Sequence, residues 1–325
     1  MANAYLGRLG WAGIAIEATP GAPLPPTDYL PYTALNMIGK HTPIEDISAR
    51  GIRDKNYNAV YGRIQGEGSI EMNLDPTYSG YVFKMITGSE GAPSQIGTSG
   101  VYDHTFSIAE TSTPLSATLT NNKGAYTEFF PYTCVKDIEI DVKDDGFGTL
   151  KANLMSQFPI TNSSGTMTTV SGTYFSFKDL TVQFGATHAA ALAATPMAIT
   201  GANIKINQNL EAVFQVGNRQ PYLFAPKELE VTGEYDLLLA NQTEVNNYYN
   251  MNFQEAVFTF NGAGIGAGVT EQIVLSLYRF HISTQSLETG IANLFAVKSQ
   301  FTADYSISDG KTMDIVLQNR KASAY

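Results

Sequence analysis

Four histidines, one cysteine and a few clustered carboxylates are the side chains with which this chain could do chemistry. A zinc centre needs three or four Cys, His, Asp or Glu ligands at close, regular spacing. His41, His104, His188 and His281 are scattered, with no such partner beside them. His281 lies in the strand pattern "LYRFHIS" and reads as a rim or hydrogen-bonded residue. Asp144 and Asp145 precede Gly146, which suits a turn better than an acid/base pair, and the ligand spacing of a calcium loop is absent. "NGAGIGAG" at 261–268 imitates a dinucleotide fingerprint, yet the strand-like "EQIVLSL" follows it instead of a helix. Without a helix N-terminus there is no nest of backbone donors for a pyrophosphate, so a hairpin loop is expected. The single cysteine, Cys134, excludes an internal disulfide framework and argues against zinc. Just ahead of "VKDIEIDV" it reads as a small apolar strand residue. No nucleophile elbow, phosphate loop or zinc-protease helix occurs. The expectation is a protein with no catalytic residues, no cofactor and no metal.

Composition points the same way. In 325 residues, 43% are hydrophobic and 11% aromatic, enough for a substantial core, while only 15% are charged. Abundant Gly, Thr, Ser and Asn suit many short strands joined by turns. The formal net charge is −10. A protein that grips nucleic acid through its phosphates needs the opposite sign. DNA binding is therefore not expected, although DNA could pass nearby without sticking. No window reaches 18 consecutive apolar residues, so no membrane span is expected. "LGWAGIAI" is short for a signal core and lacks a clear cleavage site, which reads as cytoplasmic synthesis and assembly.

The elements that would carry these residues are strands. "TPGAPLPPTDYLP" must be an extended arm or loop, because proline fixes φ and removes a ladder donor. Residues 57–74 read as a strand, with Ile70, Met72 and Leu74 on one face. Pro76 and Gly88 bracket a short helix over 76–87, with Gly80 as an awkward interior residue. The clearest strand is 135–142: Ile138, Ile140 and Val142 face one way, Asp137, Glu139 and Asp141 the other. "KDDGFG" turns it into its hairpin partner "TLKANLM". A polar stretch, 161–172, has the composition of a linker. Beyond it lie further period-two segments, including 227–239, which carries Glu234 and Asp236 on its polar side, and a weaker helix at 242–252. Residues 66–88 and 231–253 share a strand-turn-helix form. An internal duplication follows: two all-β halves, 1–165 and 166–325, each with one short helix.

The order "LGWAGIAIEATPGAPLPPTDYLPY", "GRIQGEGSIEMNLDPTYSGYVFKMITG", "SATLTNN" and "KDIEIDVKDDGFGTLKANL", followed by a similar second half, resembles the tail tube proteins of long-tailed bacteriophages. Glu17 to Gly21 and Gly66 to Leu74 carry most of the likeness. The resemblance implies a β-sandwich or small barrel flanked by a helix, whose copies form rings stacked into a DNA-conducting tube. A duplicated chain implies a trimeric ring mimicking six-fold symmetry; a single barrel with insertions would make a true hexamer. Other tail proteins, such as the tape measure and terminator, would be its partners, and the virion tail its location. The rival readings are another tube or distal tail component, and a carbohydrate-binding β-sandwich using some of the 18 tyrosines. Double-stranded DNA carries one charge per ~1.7 Å, so a neutral or acidic bore lets it slide. Glu67, Glu71, Asp137, Glu139, Asp141, Glu234 and Asp236 are the candidate bore residues. Residues 18–32, 89–103 and the C-terminal "QNRKASAY" are the candidate stacking segments.

Overall fold

Period-two patterning dominates the chain, and the computed structural model is correspondingly almost all antiparallel β. It describes residues 6–162, 167, 172–238, 242–266, 268–288 and 295–325. Most of the expected linker at 161–172, together with Leu239, lies outside the described residues. The longer strands are β1 (Trp11–Ile16), β2 (Ile38–Asp46), β3 (Asn58–Asn73), β4 (Tyr102–Ile108), β5 (Ala117–Asn122), β6 (Thr127–Lys143), β7 (Thr149–Ser156) and β8 (Leu180–Gly185). There follow β9 (Ile199–Asn207), a small hairpin of β10 (Glu211–Phe214) and β11 (Pro221–Ala225), then β12 (Glu230–Leu238), β13 (Gln254–Gly266), β14 (Val269–Glu288), β15 (Ala296–Ala303) and β16 (Met313–Asn319). Among the described residues three α-helices interrupt them: α1 (Ser79–Thr87), α2 (His188–Ala193) and α3 (Thr243–Tyr249).

One long sheet organises the molecule, in the order β2-β3-β7-β6-β9-β12-β15-β14. The chain ahead of β2 extends that edge, with Ala34 opposite Glu71. Two strands serve both this sheet and an outer layer. The first half of β6 pairs with β5, which pairs with β1; its second half pairs with β7 and β9. Likewise the first half of β14 pairs with β13 and β16, and its second half with β15. The crossing in β6 is marked by Tyr132, whose φ of 52° is unusual for a non-glycine residue. Its amide donates to the buried Glu17 carboxylate at 3.0 Å, and Phe224 packs edge-on against its ring. The ladder does not close within one chain, so the monomer is an open two-layer sandwich.

Between the layers lies one apolar cluster drawn from both sequence halves, including Ile70, Ile138, Phe106, Phe258, Phe301 and Leu317. Helix α1 packs inside it, with only Lys84 of its nine residues outside the buried class. The helix starts at Ser79, three residues later than the sequence suggested, because residues 76–78 form a turn in which Asp75 Oδ1 accepts from the amides of Thr77 (2.6 Å) and Tyr78 (2.9 Å). Gly88 ends it in the left-handed region, φ 79°. Gly80 also has a reason. A Cβ there would sit 2.2 Å from the ring of Tyr325, which lies in the core between Tyr81, His104 and Phe106. The C-terminal segment is thus folded back on the body, with Asn319 Nδ2 donating to the Tyr325 hydroxyl at 2.6 Å. This candidate stacking segment is therefore held against its own subunit. Residues 18–32 are also docked, since Asp28–Leu30 pairs with β1 and Glu17 accepts the Gly21 amide at 2.8 Å.

The free arm lies elsewhere. Strand β2 and the first part of β3 form a hairpin whose apolar side chains lack cover: Ile44, Ile47, Ile52, Tyr57, Val60 and Tyr61 are all more than half exposed.

Candidate functional site

Alternation along six neighbouring strands builds a polar face opposite the core. The interior side is lined by Ile70, Met72, Leu150, Ile138, Ile140, Ile204, Tyr235 and Phe301. A strand's period of two then directs Glu67 and Glu71 of β3, Asp137, Glu139 and Asp141 of β6, and Glu234 and Asp236 of β12 to the other side. All seven candidate residues, from both halves of the sequence, share one face of one continuous sheet.

The face is mixed in sign. Reading across the strands, Glu71 stands opposite Lys151, Lys151 opposite Glu139, and Glu139 opposite Lys205. Two strands further on, Asp236 stands opposite Lys298, whose Nζ lies 3.1 Å from Glu234. Lys143 lies 3.1 Å from Asp141, and that hydrogen bond pushes its ammonium up from the ordinary lysine range. Lys40 of β2 bridges to Glu67. Amides meet the remaining charges: Asn153 donates to Asp137 at 2.7 Å and Asn203 to Glu139 at 2.8 Å. Opposed pairs of this kind contribute roughly 0.2–1 kcal/mol each and hold register more than they add stability.

Two features differ from the sequence reading. Asp137 is only 7% exposed, because Asn153 and Asn207 flank it on the neighbouring strands. Four lysines (Lys143, Lys151, Lys205 and Lys298) and one more carboxylate, Glu230, belong to the same face. Their signal was present in "TLKANLM", "NIKIN" and "AVKSQ", where lysine takes a polar place in a period-two run. The eight carboxylates thus stand among four lysines, with Arg63 on the same alternation of β3. The surface is moderately acidic and finely interleaved.

The residues singled out for chemistry do not converge. Among the described residues no group of three or more His, Cys, Asp or Glu is placed to hold a metal ion. His281 bonds to Asp304 at 2.7 Å, and buried His104 bonds to Glu90 and to the Lys321 carbonyl, both at 2.8 Å. Burial raises Glu90, but the bonds from His104, Lys84 and the Tyr325 amide outweigh it and hold the carboxyl below its usual range. Cys134 is buried, and burial pushes its thiol well up. Of "NGAGIGAG", residues 261–266 end strand β13 and pair with β14, and Gly266 and Gly268 have positive φ; Ala267 lies outside the described residues. Among the described residues no helix is long and apolar enough to cross a membrane.

Among the described residues, the broadest organised surface is therefore one mildly acidic face of a continuous sheet. The family model for the phage tail tube protein matches residues 8–308. The chain belongs to that family. This tail tube protein is thus a structural component of a phage virion, of a kind that self-assembles into a tube with other tail proteins. No curated protein matches its sequence. The matched span runs from ahead of β1 to beyond β15, so it takes in the arm, the polar sheet face and most of both sequence halves, and stops short of β16.

Proposed function

We propose that this protein is the major tail tube subunit, that its long sheet forms the wall of the DNA channel, and that three copies make a ring. The reading rests on one observation: the long sheet is open at both edges and collects the seven candidate carboxylates on a single face. An exposed sheet edge is a pairing site, and closure with copies of itself removes it. The face suits a conduit. Its interleaved carboxylates and lysines leave no uniform cationic track on which phosphates could exchange their counterions.

The halves 1–165 and 166–325 act as two equivalent wall units, so three chains supply six. Their matching strand order, β2-β3-β7-β6 against β9-β12-β15-β14, supports the duplication. Helix α1 follows β3 as α3 follows β12. The subunit is assembled in the host cytoplasm, contacts the tape measure and terminator proteins, and carries no catalytic role.

The hairpin arm stacks one ring on the next. Its exposed Ile44, Ile47, Ile52 and Tyr61 need an apolar partner. Its charge also suits self-association. Residues 38–65 hold Lys40, Arg50, Arg53, Lys55 and Arg63 against only Glu45, Asp46 and Asp54, on a chain of net charge −10. A positive arm on an acidic body favours head-to-tail contact.

Negative-stain microscopy of the purified protein should show rings or hollow tubes, and native mass measurement of single rings should give three chains. Persistent monomers at high concentration would reject the proposal, and six chains would reject the duplication.

A further inference from the structure

The two wall units are joined inside each chain by a sheet contact, β6 to β9, and that contact is a template for the joint between chains. The correspondence of the units fixes it to the residue. Each unit has a bulge at the same place in its last wall strand. In the first, β6 slips against β7 between Val135 and Asp137; in the second, β14 slips against β15 between Ile282 and Thr284. Counting on from the bulges, Glu139 and Ser286 are equivalent, as are their partners Lys151 and Lys298, and the next partners Glu71 and Asp236. The outermost strands then align Ala34 with Gly201, Ile38 with Lys205 and Lys40 with Asn207.

Within the chain, β6 meets β9 with Glu139 opposite Lys205 and Asp137 opposite Asn207. We infer that the second half of β14 pairs antiparallel with β2 of the next copy in the same register, placing Ser286 opposite Ile38 and Thr284 opposite Lys40 of that copy. Both edges are available. Among the described residues, neither 281–288 nor 38–42 has a second backbone ladder on its outer side. The inference rests on the tube reading above and adds the strand, the direction and the register.

The geometry closes. Crossing one unit from Ala34 through Glu71, Lys151 and Glu139 to Lys205 returns to the equivalent strand at the equivalent of Ile38. The ladder therefore climbs four residues per unit. Three chains of eight strands give twenty-four strands with a stagger of twenty-four residues. With about 4.8 Å between strands and about 3.3 Å per residue, the strands tilt by roughly 35° and opposite walls lie about 45 Å apart between backbones. Side chains of about 5 Å on each wall leave a clear bore near 35 Å, wide enough for a duplex with its hydration. A ring of six chains in the same register would double the distance between backbones to about 90 Å.

Cysteine cross-linking tests the register, since a disulfide needs Cα atoms within about 7 Å. The one native cysteine, Cys134, is buried. Mixing the single variants S286C and I38C under mild oxidation should give a covalent dimer, and the doubly substituted chain should give a ladder ending at three. The T284C and K40C pair should behave alike if either position of the first pair perturbs folding. T284C mixed with I38C, slipped by one rung, is the control and should cross-link at least five-fold less. Rings visible by microscopy with neither matched pair exceeding the control would overturn the register while leaving the tube reading intact. Absence of rings in the unsubstituted protein would overturn both.

Discussion

Gly80 and Tyr325 form a pair whose energetics can be worked in both directions. Replacing Tyr325 by Ala removes a ring that is 7% exposed and packed against Tyr81, His104 and Phe106. Large-to-small changes at such sites cost about 3–5 kcal/mol. The lower end applies here, because the five-residue segment ahead of the ring regains freedom when it undocks. Gly80→Ala alone puts a methyl group 2.2 Å from that ring, in the first turn of a buried helix, and must expel it. The expected loss is about 2 kcal/mol, namely the docking energy less the ~1 kcal/mol by which Ala exceeds Gly in a helix. Once Tyr325 is already Ala, the slot is empty and Gly80→Ala should instead stabilise by up to about 1 kcal/mol. Urea denaturation of the four proteins in the cycle measures this directly. The sign of the Gly80→Ala effect should reverse between the two backgrounds. An equal loss in both would show that Gly80 is needed for its backbone and not for the ring.

Three further outcomes are expected. Asp75 is pushed up to about 6, chiefly by burial, so the folded state holds its proton where the unfolded state, near 3.8, has released it; its stabilisation is full below about pH 4 and lost as pH rises through about 6, by an amount on the order of 3 kcal/mol. Asp75→Asn should flatten that part of the stability–pH curve, and an unchanged slope would place the titrating group elsewhere. Tubes carrying Glu71→Lys, Asp141→Lys and Glu234→Lys, which spare the buried Asp137, should pull down duplex DNA at low salt where unsubstituted tubes do not; failure to do so would mean that this face is not the bore. At the arm's root, Arg219 of the β10–β11 hairpin donates to the Gly62 carbonyl at 2.9 Å, and its guanidinium lies 4.9 Å from the Tyr61 ring centroid. Arg219→Ala should leave the melting temperature within about 2 °C yet raise proteolysis at Arg50, Arg53 and Lys55 and the concentration needed for polymerisation; unchanged cleavage would show that the arm is held by other contacts.

The long sheet was legible where one side of a strand is buried and the other wet. Ile138, Ile140 and Val142 against Asp137, Glu139 and Asp141 gave the second half of β6 and its polar face, and Gly88 gave the end of α1, whose start lies at Ser79 and not at Pro76. The arm was not legible, because β2 is exposed on nearly every residue and so has no alternation to detect, and Pro43 breaks what pattern there is. Helix α2 is six residues long, too short for a helical period to emerge. Gly80 weakened the helix signal because the ring that needs it is 245 positions away in the chain, beyond any local window. Asp137 looked solvated because its cover is two asparagines supplied by other strands.

Strands β6 and β14 each begin in the outer layer and finish in the sheet that faces the opposite way. In the tube proposed above, an outward push on the inner sheet would therefore be carried through covalent backbone, at two strands of every subunit. Peeling lining from casing would require unzipping hydrogen-bonded ladders lengthwise, and sliding two greasy surfaces apart would not suffice.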